Sequence, residues 1–85
     1  MTAISVTAGH IAKGFARDCE HCPVALALRD AFPEVRHISV TSLYVRMGIR
    51  EHELPAEVQQ FTWEFDTGQP VGPFTFELDY PAVTA

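Results

Sequence analysis

Two prolines, Pro23 and Pro33, constrain this chain more than any other feature. A proline has no N–H to donate, so it sits without loss at the first position of a helix. It also pushes the residue before it out of helical geometry. Between them runs Val24-Ala25-Leu26-Ala27-Leu28-Arg29-Asp30-Ala31, rich in strong helix formers. Val24, Ala27, Leu28 and Ala31 recur at i, i+3, i+4 and i+7, which is one apolar stripe. The prolines thus predict a helix that starts at Pro23, stops before Pro33 and turns that stripe toward a core.

The other elements follow from periodicity. Ile4 and Val6 alternate with Ser5 and Thr7, a short first strand. Thr7 is suited to cap a short helix through His10, Ile11 and Lys13, with Gly14 as its C′ terminator. Val35 to Val40 reads as extended, with Ile38 and Val40 on one face and Val35 and His37 on the other. Leu43, Val45 and Met47 then alternate with Tyr44 and Arg46. Thr41-Ser42 either turns these two into a hairpin or lies within one long bent strand; the Asn-Gly or Asp-Gly of a type I′ turn is missing. Leu54-Pro55-Ala56-Glu57 opens a second main helix, with Val58, Phe61 and Phe65 on one face and Trp63 and Gln59 projecting elsewhere. Alternation over Phe61–Phe65 also suits a strand, and the preceding Pro-Ala-Glu-Val-Gln-Gln decides for the helix, which Asp66-Thr67-Gly68 ends. Phe74 to Asp79 alternates apolar with polar as a last strand.

The expected fold is a small single α+β domain over residues 1–85, in the order β-α-α-β-β-α-β. Two main helices would cover one sheet of three to four strands, an order that permits a ferredoxin-like split βαβ arrangement. No apolar run reaches the ~20 residues that cross a bilayer, and the N-terminus has neither basic n-region nor long apolar h-region. A cytoplasmic protein is the expectation.

Charge is distributed unevenly. The net formal charge is −5, and every lysine and arginine lies at or before Arg50. From Glu51 onward the charged side chains are Glu51, Glu53, Glu57, Glu64, Asp66, Glu77 and Asp79. Such a surface repels phosphate backbones and anionic lipid, so neither nucleic acid nor membrane is an expected partner. The plain reading is a solvated acidic face that keeps the chain soluble. Otherwise a basic protein partner suits it, with Glu57, Glu64 and Glu77 as contacts, and Trp63 is a candidate anchor if its indole points outward instead of packing against the sheet edge. Aromatic stacking on bases by Trp63, Phe74 and Phe76 is opposed by the acids around them.

The cysteines, Cys19 and Cys22, are spaced C-x-x-C within Asp18-Cys19-Glu20-His21-Cys22-Pro23. Two thiolates with His10 and His21 would make a Cys2His2 set for zinc, although the spacing matches no standard finger. A helix start also favours a thiolate at Cys22, which is the basis of a redox reading. Against both stands a plainer role for Cys22 as a small hydrophobe at the entrance of a core helix. No serine–histidine–acid set has local support, and nothing argues positively for an enzyme.

Three segments carry a resemblance: His10-Ile11-x-x-Gly14, Cys22-Pro23-Val24-Ala25-Leu26-Ala27, and Phe65-Asp66-x-Gly68-x-x-Val71-x-Pro73-Phe74-x-Phe76-x-Leu78. Together they resemble a group of small uncharacterised proteins of actinobacteria and their bacteriophages, from Thr7 to Leu78. The resemblance implies a small accessory protein of phage or prophage, with no cofactor or catalytic residue attached to it. The function expected is therefore a non-enzymatic binding or accessory protein acting on a protein partner. A metal- or thiol-dependent protein using Cys19 and Cys22 is the alternative. A homodimer paired along the Phe74-to-Tyr80 edge is a further option.

Overall fold

A computed structural model describes residues 2–78. In chain order these form β1 (Thr2–Val6), α1 (Ala8–Lys13), α2 (Pro23–Ala31), β2 (Ile38–Val40), β3 (Tyr44–Met47), β4 (Arg50–Glu53), α3 (Ala56–Asp66) and β5 (Phe74–Leu78). The class is α+β, and both main helices start and stop where the prolines and Gly68 place them. In α2, Cys22 is the N-cap and Pro23 the first helical residue, and Val24, Ala27 and Leu28 are buried as their spacing requires. Ala31, expected on the same stripe, is exposed because the helix ends with it. Asp79 and Tyr80, expected in the last strand and its edge, lie outside the described residues.

The sheet differs from expectation. Instead of one sheet of three to four strands, the described residues form two antiparallel sheets, β1-β5 and β2-β3-β4. Among the described residues the ferredoxin-like arrangement is therefore not formed. At β2 the Val40 N–H donates to the Cys19 carbonyl at 2.7 Å, so the loop before α2 occupies one edge position of this sheet. Helix α2 packs against both β1 and β2 and thereby joins the sheets. In β1-β5, Ile4 stands opposite Phe76 and Val6 opposite Phe74. Side chains from α2, α3 and both sheets make one apolar cluster, with Leu28, Ile38, Val45, Val58 and Phe76 among its members.

The Thr41-Ser42 turn does make a hairpin. The Thr41 N–H donates to the Tyr44 carbonyl at 2.8 Å, and the Tyr44 N–H donates to the Thr41 hydroxyl at 2.9 Å. The hydroxyl replaces the glycine-type turn chemistry whose absence made the sequence ambiguous. Leu43 consequently lies in the turn and not on the inward face with Val45 and Met47. Strand β4 was not anticipated at all. Its residues, Arg-Glu-His-Glu, have no apolar alternation, and it is held as an edge strand by backbone pairing to β3. The preceding turn uses Gly48 at φ +65, a conformation that glycine enters without steric cost.

Candidate functional site

Two regions compete as the site: the loop carrying the cysteines, and the outer face of α3. In the loop, Asp18 is the organising residue. Its carboxylate accepts the backbone N–H groups of Glu20 and His21, each at 3.0 Å, and lies 3.1 Å from His21 Nδ1. The Glu20 N–H, then the His21 ring, hold the Asp18 carboxyl below its usual range. Arg17 next to it has φ +60, unusual for a residue with a Cβ. Its N–H donates to the Asp66 carboxylate at the end of α3, at 2.8 Å, which fixes the loop against that helix.

Cys22 is buried at 4% exposure, and its sulfur accepts the Ala25 N–H at 3.4 Å. Burial pushes its thiol up and outweighs the donation from Ala25 and Val24; the Asp66 charge acts in the same direction. This is opposite to the thiolate of the redox reading and agrees with Cys22 as a small hydrophobe at the entrance of a core helix. Removal from water disfavours the anion more than the helix end favours it. Cys19 is exposed, and both thiols are free. With excess aromatic disulfide reagent, Cys19 should react at least about ten times faster than Cys22, since reaction needs access and thiolate. Cys19→Ser should remove the fast phase alone. Two equal fast phases would refute the burial argument.

The histidines do not gather round the cysteines. His10 belongs to the α1 cap: its Nδ1 accepts the Thr7 N–H at 3.0 Å and faces the Thr7 hydroxyl at 3.1 Å. Its Nε2 lies 2.6 Å from the Asp30 carboxylate, tying α1 to α2. Among the described residues no three His, Cys, Asp or Glu side chains are placed to hold one metal ion. Cys19, Cys22, His10 and His21 are therefore not brought together as a four-ligand set.

The α3 face is different. Glu57, Gln60, Trp63 and Glu64 lie along its outer side, where Trp63 is 58% exposed. Across from Trp63 stands Leu43, 52% exposed, and both line a cleft of about 340 Å³ with Gln59 and Gln60. On the other flank, Glu57, Gln60 and Glu64 border a groove of about 330 Å³ whose floor is Phe61, Val71 and Phe74. Gln60 donates to the Glu64 carboxylate at 3.0 Å and separates the two depressions. The helix is secured at both ends. The Gln59 amide donates to the Leu54 carbonyl at 2.8 Å, and the Thr67 hydroxyl to the Trp63 carbonyl at 2.8 Å. Glu77 is also exposed, but it stands on β5 opposite Ala3 and not on α3.

Of the side chains singled out in the sequence, Trp63, Glu57 and Glu64 thus share one helix face. Leu43 and Val71 were missed. Leu43 looked like a strand residue, and Val71 reaches the groove only because Pro70–Phe74 folds back beside α3. No protein-family model, curated protein or solved structure matches the chain. Among the described residues no helix is long and apolar enough to cross a membrane.

Proposed function

We propose that this chain is a small non-enzymatic protein-binding module, an accessory factor of phage or prophage type, which docks a partner on the outer face of α3. The observation that carries this reading is Trp63. An indole left in water beside Leu43, on a helix held firmly at both ends, keeps a large apolar area unburied. Tryptophan is the side chain that most often anchors a protein interface. The carboxylates on the same helix favour a partner with basic groups.

A catalytic reading has less support. Thr7, His10 and Asp30 do form a hydroxyl–imidazole–carboxylate chain, yet the Nδ1 lone pair already accepts the Thr7 backbone N–H. That lone pair is occupied in capping α1 and is poorly placed to activate the hydroxyl. The interface reading is tested by capture from host lysate with wild type, Trp63→Ala and Trp63→Phe. One species should be retained by wild type, lost with Trp63→Ala and partly recovered with Trp63→Phe. Capture indifferent to Trp63 would rule out this face as the interface.

A further inference from the structure

The groove on the second flank of α3 limits the partner further, and the inference drawn from it deepens the binding reading above. We infer that the groove between α3 and Pro70–Phe74 takes a polyproline-II segment of a partner protein, with two basic side chains three residues apart around an apolar one. Its floor is apolar. Phe61 and Phe74 lie with ring centroids 4.7 Å apart, and Val71 packs against the same cluster. Its rim is anionic, with Glu57 and Glu64 on the helix side and no lysine or arginine among the described residues that line it.

The spacing comes from geometry. Glu57 and Glu64 are i and i+7 on α3, so both face the same way, about 10 Å apart along the axis at ~1.5 Å per residue. A polyproline-II chain has three residues per turn and advances ~3.1 Å per residue, so side chains three residues apart point the same way at a spacing of about 9 Å. A basic side chain at each end of that span meets one carboxylate, and an apolar side chain between them lies over Phe61, Val71 and Phe74. At about 330 Å³ the groove has room for one or two side chains. The Gln60 amide, donating to Glu64 at 3.0 Å, orients that carboxylate.

The test uses the full chain and two fluorescent peptides of equal composition. One has the order basic–leucine–alanine–basic, the other has its two basic residues adjacent. Fluorescence anisotropy should show saturable binding of the spaced peptide at least about tenfold tighter than its isomer. Glu57→Gln with Glu64→Gln should weaken binding about tenfold or more, as should raising salt from about 50 to about 300 mM, which shortens the range of the carboxylate attraction. Glu34→Gln, an exposed carboxylate that does not line the groove, should leave peptide affinity within about twofold. Both changes are on the surface, and circular dichroism checks that the variants are folded.

Equal affinity for both peptides, or no binding, overturns the inference. So does a dimer in light scattering that the paired glutamine variant dissociates, since the groove would then hold a second copy. If capture from lysate still depends on Trp63 while peptide binding fails, the groove assignment falls and the broader interface reading stands. Spaced-peptide binding without Trp63-dependent capture upholds the groove and removes Trp63 as the anchor.

Discussion

Phe76→Ala is expected to destabilise the fold by about 3–5 kcal/mol, the range for emptying a fully buried phenylalanine site. Phe76 is 2% exposed, lies opposite Ile4 in the β1-β5 pair, and has its ring centroid 5.7 Å from that of Phe74. A two-stranded sheet has little stability of its own and relies on the apolar face it presents to a core. For a domain of this size, total stability is on the order of 4–13 kcal/mol, so the substitution removes a large fraction of it. Urea unfolding followed by circular dichroism measures the loss. Glu77→Ala on the outer face is the control and should stay within about 0.5 kcal/mol. Comparable losses at both positions would contradict the register given for β5.

The second large effect is at Gly14, and its sign is decided by a contact, not by backbone geometry. Gly14 has φ −77 and ψ 155, which alanine adopts freely. Replacement would even gain about 0.4–1 kcal/mol by restricting the unfolded chain. A Cβ there, however, would lie 2.6 Å from Pro23 Cδ, 2.7 Å from Cγ and 2.8 Å from the backbone nitrogen. A proline ring at a helix start has no rotamer through which to withdraw. Gly14→Ala should therefore cost about 1–3 kcal/mol, the usual range for overpacking. Gly9→Ala, inside α1 with 3.6 Å to its nearest neighbour, should stabilise by about 0.5–1 kcal/mol. Combining Gly14→Ala with Pro23→Ala should recover part of the loss, a coupling that a double-mutant cycle reads directly. Additive losses would mean the ring is not the obstacle.

Gly14 also illustrates which features local sequence can convey. A glycine after a short amphipathic segment suggests a left-handed helix terminator, and the helix does end there. The reason for glycine is instead a contact with Pro23, which no local pattern contains. The same division applies elsewhere. Pro23 and the stripe through Leu28 placed α2, because capping and amphipathicity are local. Alternation at Ile4, Val6, Phe74 and Phe76 identifies two strands, but not that, among the described residues, they pair only with each other. Strand β4 escaped notice because an edge strand held by backbone bonds needs no apolar residues. At the site, helical phase indicated that Trp63 projects away from Val58 and Phe61, and the structure leaves it exposed. At Cys22 local sequence offers both a thiolate at a helix start and a small buried residue; dipole and desolvation oppose each other there, and burial decides for the second.

The pairing of β1 with β5 also bears on how the chain is made. Ile4 meets Phe76 across about 70 residues of sequence, which a ribosome takes about 4–14 s to add at ~5–20 residues per second. Helix α2 and the β2-β3-β4 meander consist of neighbours in sequence and are translated well before β5. Of the described elements β1 is translated first and receives its partner last. Until then Ile4 and Val6 have α2 to rest on but lack β5, so closure of this sheet comes late among the described elements and is topologically slow.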